Sequence, residues 1–244
     1  MDMDIMNNLE VVRTRIAKAA LSVGRLPGTI RLVAAGKGVD AERLKEAISY
    51  GVDTIGENRV QEALDKIDKM DKLDKMVESG TGMPPHISWH FIGKLQRNKV
   101  RDAAGRFDLI HSLDSRPLAE EINKWAEKRG LIQKVLLEVN VSREETKGGV
   151  IPERALGLIK EASSYMNISI RGLMTVPPFS PDPEGSRIFF RKLSKLAKDI
   201  TKEGIDRIFM EELSMGMSDD FEVAVQEGAT MVRIGRAIFG PRRG

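Results

Sequence analysis

The 244-residue chain has no cysteine, which excludes disulfides, cysteine nucleophiles and thiolate metal sites and fits a reducing compartment. It also lacks an excess of either charge. Its 39 Lys+Arg against 36 Asp+Glu leave a net charge of +3, interspersed as on a solvated surface and not gathered into a nucleic-acid footprint. The opening stretch, Met1 to Leu21, is acidic and then mixed in charge with amphipathic spacing, so it has neither a signal-peptide pattern nor an apolar run of membrane length. A cytoplasmic protein with no membrane and no nucleic-acid partner is expected. No Pro/Gly/Ser-rich linker divides the chain, and the length suits a single domain over residues 1–244. The glycines at 80 and 82 lack the spacing and the following helix of a dinucleotide fingerprint. Tyrosine is scarce: Tyr50 and Tyr165 are the only two, both in helical stretches.

What is present is an alternation. Ile5, Leu9, Val12, Ile16, Ala19 and Ala20 recur at helix spacing, a turn at Gly24 to Gly28 follows, and Ile30 to Ala35 reads as a buried strand. Asp40 is placed to cap the next helix. Further strands are expected at Asp53 to Gly56, Ser88 to Ile92, Asp108 to Leu113, Lys134 to Val141, Ile168 to Thr175, Arg207 to Leu213 and Thr230 to Ile234. Helical patterns fill the gaps at about 58–67, 95–104, 116–129, 152–165, 184–203 and 218–227. Lys69 to Pro85 breaks the rhythm and reads as a charged, solvated insertion, extending over about 69–86. Eight strands separated by helices predict an α/β fold: a closed (β/α)8 TIM barrel with an extra N-terminal helix, an open doubly wound sheet being the alternative.

In such barrels functional groups gather at the C-terminal ends of the strands. The first strand ends in Gly36-Lys37-Gly38. Alone, a lysine there is also what opens an ordinary surface loop; at the rim of a barrel its partly desolvated amine is placed to attack a carbonyl. Gly56-Glu57-Asn58, His90, His111, Glu138 with Asn140, and Met174 occupy other strand ends. Glu138 and Asn140 share one strand face while Leu137, Val139 and Val141 take the other, so the mouth is expected to be polar. After the last two strands come Ser214-Met215-Gly216-Met217-Ser218 and Gly235-Arg236, the places where many barrels bind phosphate, with Ser218 as a candidate helix cap. A carbonyl-seeking lysine facing a phosphate cup suggests a ligand with an aldehyde at one end and a phosphate at the other. Pyridoxal 5′-phosphate (PLP) is such a ligand, and Arg233 then lies where its ring nitrogen points.

Long stretches of the chain resemble the pyridoxal phosphate homeostasis protein family, related in fold to the N-terminal barrel of alanine racemase. They are Gly56-Glu57-Asn58 with Val60-Gln61-Glu62; Trp89-His90-Phe91-Ile92-Gly93 with Leu95-Gln96 and Asn98-Lys99; Gly172-Leu173-Met174; Leu213 to Asp220; and Met231 to Gly235, continued by Ala237 to Gly240. The resemblance implies that Lys37 carries PLP as an internal aldimine, that Arg233 faces the ring nitrogen and that Ser214 and Gly235 help bind the phosphate, with Gly216 and Arg236 in the same loops. It also implies that Asn58, His90 and Met174 line the ring pocket, Met174 being alternatively barrel core and His90 a hydrogen-bonded core histidine; His111 is expected to be structural. No residue is assigned to a metal or to turnover.

There are departures from the family. Gly36 and Gly38 stand where a serine and a threonine are usual, and Arg59, Lys94, Arg97 and Arg236 each add a cation near the mouth. Racemisation needs a base on each face of the ring, the second commonly a tyrosine, and the only tyrosines, Tyr50 and Tyr165, fall in helical stretches. Binding and delivery of PLP, with apo-PLP enzymes as recipients and the protein a monomer, is therefore the expected role. A weak PLP-dependent amino-acid racemase and a Schiff-base aldolase are the rivals.

Overall fold

The alternation closes on itself. In the computed structural model, which describes residues 4–76 and 86–241, eight parallel strands follow one another around a closed barrel, the first pairing with the last. They are β1 (Arg31–Ala35), β2 (Thr54–Glu57), β3 (Ser88–Phe91), β4 (Leu109–Leu113), β5 (Gln133–Glu138), β6 (Ile168–Met174), β7 (Ile208–Ser214) and β8 (Met231–Ile234). The helices are α1 (Ile5–Leu21), α2 (Ala41–Ser49), α3 (Val60–Met76), α4 (Val100–Ala103), α5 (Arg116–Lys128), α6 (Pro152–Ala162), α7 (Arg187–Lys202), α8 (Phe221–Gln226) and α9 (Arg236–Phe239).

Local chemistry sets several of these boundaries. The Asp4 carboxylate accepts from the Asn7 N–H to start α1, and Asp40 accepts from the Arg43 N–H to start α2. Helix α1 buries the six apolar residues expected of it and lies against α8 and α9. At about 1.5–3 kcal/mol for each large side chain, Ile5, Leu9, Val12 and Ile16 alone contribute roughly 6–12 kcal/mol as an upper bound. An Arg15–Glu222 ion pair at 2.7 Å and an Asn8 amide donating to the Ile238 carbonyl at 2.9 Å fix the helix in place.

Four expectations are corrected. Helix α3 runs to Met76, so the first part of the supposed insertion is helical; residues 77–85 lie outside the described residues. The helix expected at 95–104 is a 3-10 turn, Arg97–Lys99, followed by the short α4. Strand β5 stops at Glu138: the chain then curls back, with Val139 bridged to Val150 and the Asn140 amide donating to the Glu144 carbonyl at 2.8 Å. Helix α8 begins after Asp220, not at Ser218.

Most of the core lies between strands and helices. A second, smaller cluster fills the barrel itself: Val33, Leu109, Leu136, Met174 and Met231, with Ile92 against them. Strand alternation supplies both layers, and the inner one forms a floor beneath the mouth.

Candidate functional site

At the C-terminal mouth a cavity of about 590 Å³ opens between the ends of β1, β7 and β8, lined among others by Lys37, Arg43, Ser218, Arg233, Gly235 and Arg236. A larger groove of about 860 Å³ runs past Arg13, Gly28, Gly51 and Glu212 on the side where the strands begin, away from every expected site residue.

Lys37 is half-buried in the mouth. Its loop leaves β1 with the Gly36 N–H donating to the Gly56 carbonyl at 2.9 Å, and turns back with the Val39 N–H on the Gly36 carbonyl at 2.9 Å. Gly38 has φ +70°, a left-handed conformation that a β-carbon disfavours, and its N–H donates to Glu62 Oε1 at 2.8 Å. Glycine at 38 thus adopts this turn without strain.

Across the cavity Arg233 is fixed by three donated hydrogen bonds: two from one terminal nitrogen, to the Ser214 carbonyl at 2.8 Å and to Ser214 Oγ at 2.5 Å, and one from the other, to the Thr175 carbonyl at 2.9 Å. Burial pushes its pKa down to about 10, against the pull of the Glu138 and Asp220 carboxylates, so it is charged at neutral pH. Ser214 is fully buried. Its hydroxyl is held by Arg233 on one side and by His111 Nδ1, at 2.9 Å, on the other.

His111 in turn meets His90 Nδ1 through Nε2 at 3.0 Å. Arginine only donates, so Ser214 Oγ accepts from it; the tautomers that also use the buried Ser214 proton have it donated to His111 Nδ1, with His111 donating from Nε2 to His90 Nδ1 and His90 carrying its hydrogen on Nε2. Both rings are neutral: burial, with repulsion from Arg31 and Lys134, pushes His90 down to about 3, and burial, with His90, Arg233 and Arg31, holds His111 well below the ordinary value. His111 is therefore more than a packed core residue, since it joins the support of Arg233.

His90 lies below the mouth. It pairs in register with Leu109, the first residue of β4, and borders a cavity of about 450 Å³ at the opposite end of the barrel, with Arg31 and Lys134; Ile92 takes the inward position nearer the mouth. Met174 is buried in the floor cluster. Asn58, just after β2, has a buried Oδ1 without a hydrogen-bond partner, and Gly93 packs so closely on it that a β-carbon there would lie 2.4 Å from the Asn58 carbonyl oxygen. Such an orphaned amide suits a polar ligand.

The loops after β7 and β8 are tied together by Ser218 Oγ accepting the Ala237 N–H at 3.2 Å, while the Met217 N–H donates to Asp220 Oδ1 at 2.7 Å. Gly216 has φ +92°, and a β-carbon there would meet Ala224 Cβ at 2.5 Å; one at Gly235 would lie 3.1 Å from the Ala35 carbonyl oxygen. Arg236, expected as an added cation for phosphate, is paired with Asp219, which offsets its charge. Arg43, which sequence reasoning did not single out, reaches the cavity from α2 while donating to the Phe239 carbonyl at 2.8 Å. Glu138, at the end of β5, has its carboxyl pushed up to about 7 by burial and by Asp114, with Arg233 and Lys94 opposing.

The chain matches the family model described as alanine racemase, N-terminal domain, over residues 5–243. It is 44% identical over 241 residues to the pyridoxal phosphate homeostasis protein of Aquifex aeolicus, covering 99% of this chain and 100% of that one. The crystal structure of an unknown protein from Bifidobacterium adolescentis matches with a TM-score of 0.88 at 39% identity, over 96% of this chain and 94% of that one. PipY of Synechococcus elongatus, solved with PLP bound, matches with a TM-score of 0.81 at 32% identity, over 97% of this chain and 100% of that one.

Proposed function

The chain belongs to the alanine racemase N-terminal domain family and, within it, to the pyridoxal phosphate homeostasis proteins; from that premise we propose that it holds PLP at the barrel mouth through Lys37 and hands it on without turning over amino acids. It binds PLP and serves its homeostasis, as its relatives' names and the PLP-bound PipY indicate. The observation that carries the residue-level reading is the single cavity bringing the Lys37 amine, the fixed Arg233 guanidinium and the two glycine-containing loops together. The orphaned Asn58 amide beside that mouth fits the same ligand.

When bound, PLP supplies an aldehyde that condenses with an amine, releasing one water. In this reading Lys37 provides the amine and Asn58 satisfies a polar ring substituent. Gly216, Ser218 and Gly235 let backbone approach the phosphate, with Gly235-Arg236 opening α9 at the same place. Ser214, His111 and His90 hold Arg233 from below, and Met174 closes the floor. Arg233 has only protons to donate and stays charged at neutral pH, so a ring nitrogen facing it remains unprotonated. That weakens the cofactor as an electron sink and supports storage over turnover. Neither tyrosine lines the cavity: Tyr50 caps the end of α2, and the Tyr165 hydroxyl donates to Glu120 on the outer surface. The proposed recipients are apo-PLP enzymes, and the proposed state in solution is a monomer. Among the described residues no helix is long and apolar enough to cross a membrane.

The test is equilibrium binding of PLP together with solvent-deuterium exchange at the α-carbon of alanine. The expected outcome is saturable one-to-one binding with exchange no faster than free PLP supports. Exchange well above that background marks a racemase-type enzyme instead, and trapping of a sugar phosphate without pyridoxal marks an aldolase.

A further inference from the structure

Behind the Lys37 loop, on the side away from the cavity, three ionisable residues are brought together that no ligand contact accounts for. Lys66 on α3 is 7% exposed and Glu57 at the end of β2 is 0% exposed. Lys66 Nζ lies 2.7 Å from each of three acceptors: Glu57 Oε1, Glu62 Oε1 and the Gly36 carbonyl oxygen. An ammonium has three protons, so each is used. Glu62 Oε1 also accepts the Gly38 N–H at 2.8 Å. The two peptide groups on either side of Lys37 are therefore both bonded to one ion cluster, the carbonyl before it by the cation and the N–H after it by the carboxylate.

The local sequence explains why an external hold is needed. Gly36 and Gly38 have no side chains to restrict the loop, and glycine adds conformational freedom at both positions. Glycine at 36 is also what the cluster permits: a β-carbon there would lie 2.5 Å from Glu57 Oε1. Burying these charges is costly, since the second Glu57 oxygen is buried without any partner, and a well-packed apolar trio would hold the barrel together as well. What an apolar trio cannot do is bond a carbonyl and an N–H two residues apart in a glycine loop.

We propose that Glu62 and Lys66, backed by Glu57, form a latch that positions Lys37 and thereby sets how tightly the bound cofactor is retained. These are positioning residues, acting on the amine through the backbone on either side of it. The inference rests on the reading that Lys37 carries PLP. With the latch formed the amine is held toward the mouth; with it broken the glycine-flanked loop samples other conformations, the C=N bond forms more slowly and the cofactor is lost faster.

The test compares wild type with Glu62→Ala, which removes the acceptor for the Gly38 N–H but leaves Lys66 paired with Glu57, and Glu62→Gln, which keeps an acceptor oxygen. Glu62 sits on the first turn of α3, half-buried, so both variants are expected to fold. Three quantities are read: amide hydrogen exchange at Gly38 in the apo-protein, the rate at which Lys37 in the apo-protein reacts with an amine-selective reagent, mapped by peptide analysis, and the rate of PLP loss from the loaded protein to a scavenging apo-enzyme. For Glu62→Ala, exchange and PLP loss are expected to rise by about tenfold, in the range of one lost charge-assisted hydrogen bond, with Lys37 reactivity changed by at least about threefold. Glu62→Gln is expected to restore most of each. Faster exchange at Gly38 with unchanged Lys37 reactivity and unchanged PLP loss overturns the latch and leaves only a structural bond. Absence of any pyridoxyl group on Lys37 in wild type overturns both the latch and the reading beneath it, whereas loading at Lys37 with equal release rates in all three proteins overturns the latch alone.

Discussion

Glu138→Gln is expected to make the apo-protein more stable at neutral pH and to change how stability depends on acid. Burial and Asp114 raise the Glu138 carboxyl from 4.5 to about 7, so the folded state holds its proton more tightly than the unfolded chain. A raised carboxyl costs stability in full above its folded pKa and regains it as pH falls toward the unfolded value. The neutral histidines have the opposite sign. His90, pushed from 6.5 down to about 3, and His111, also held low, take up protons only on unfolding, so their contribution is lost as pH falls below 6.5. Integrated from pH 6.5 to 5.0, Glu138 returns roughly 2 kcal/mol and His90 removes about as much, with His111 acting in the same direction as His90. Glu57, raised by burial against the pull of Lys66, acts in the same sense as Glu138, so in wild type two carboxyls oppose two histidines.

Glutamine keeps the size of the side chain and removes the titration. The variant is expected to exceed wild type by at most about 3 kcal/mol at pH 8, and that advantage is expected to shrink by roughly 2 kcal/mol between pH 6.5 and 5.0. At roughly 2–4 °C per kcal/mol, the two melting temperatures converge by about 4–8 °C over that interval. Thermal unfolding of the apo-protein at three pH values reads this directly. Parallel melting profiles, within about 1 °C, would refute the reasoning, because they would mean that Glu138 is already ionised in the folded protein at pH 6.5.

Other substitutions probe the same mouth. Ser214→Ala leaves the fully buried His111 Nδ1 without its partner and Arg233 without one acceptor; a loss of about 1–3 kcal/mol is expected in denaturant titration of the apo-protein, and a change below about 0.5 kcal/mol contradicts it. Gly38→Ala meets open space but a φ of +70°, so it is expected to cost about 1–2 kcal/mol through backbone strain alone. Gly93→Ala, whose methyl group would lie 2.4 Å from the Asn58 carbonyl oxygen, is expected to displace Asn58, costing about 1–3 kcal/mol in the apo-protein and lowering PLP affinity. Unchanged affinity by equilibrium dialysis removes Asn58 from the proposed ligand set.

Much of the barrel can be read from local patterns because each strand and helix declares itself within a few residues. The six buried positions of α1 and the Asp40 cap are cases where spacing alone was sufficient. The strand-end rule likewise placed Lys37, Arg233 and Gly235 around one cavity. What was missed depends on distant parts of the chain. Lys66 occurs in a charged helix, and nothing nearby reveals that it is buried or that its nearest carboxylate, apart from Glu62, is nine residues back at the end of β2. Arg236 reads as a free cation until Asp219, 17 residues earlier, is brought against it. His111 reads as merely structural because its part in the chain from Arg233 to His90 depends on four strands meeting inside the barrel. Strand β5 reads as longer than it is because Val139 and Val141 continue the alternation, while the turn that ends it is made by the Asn140 side chain.

The central claim is that the Lys37 amine holds the cofactor. Its most direct test is borohydride reduction of the PLP-loaded protein followed by peptide mapping. The account predicts one pyridoxyl group per chain, on Lys37, and none in the Lys37→Ala variant. A pyridoxyl group on another lysine in wild type, or undiminished labelling in Lys37→Ala, would contradict it.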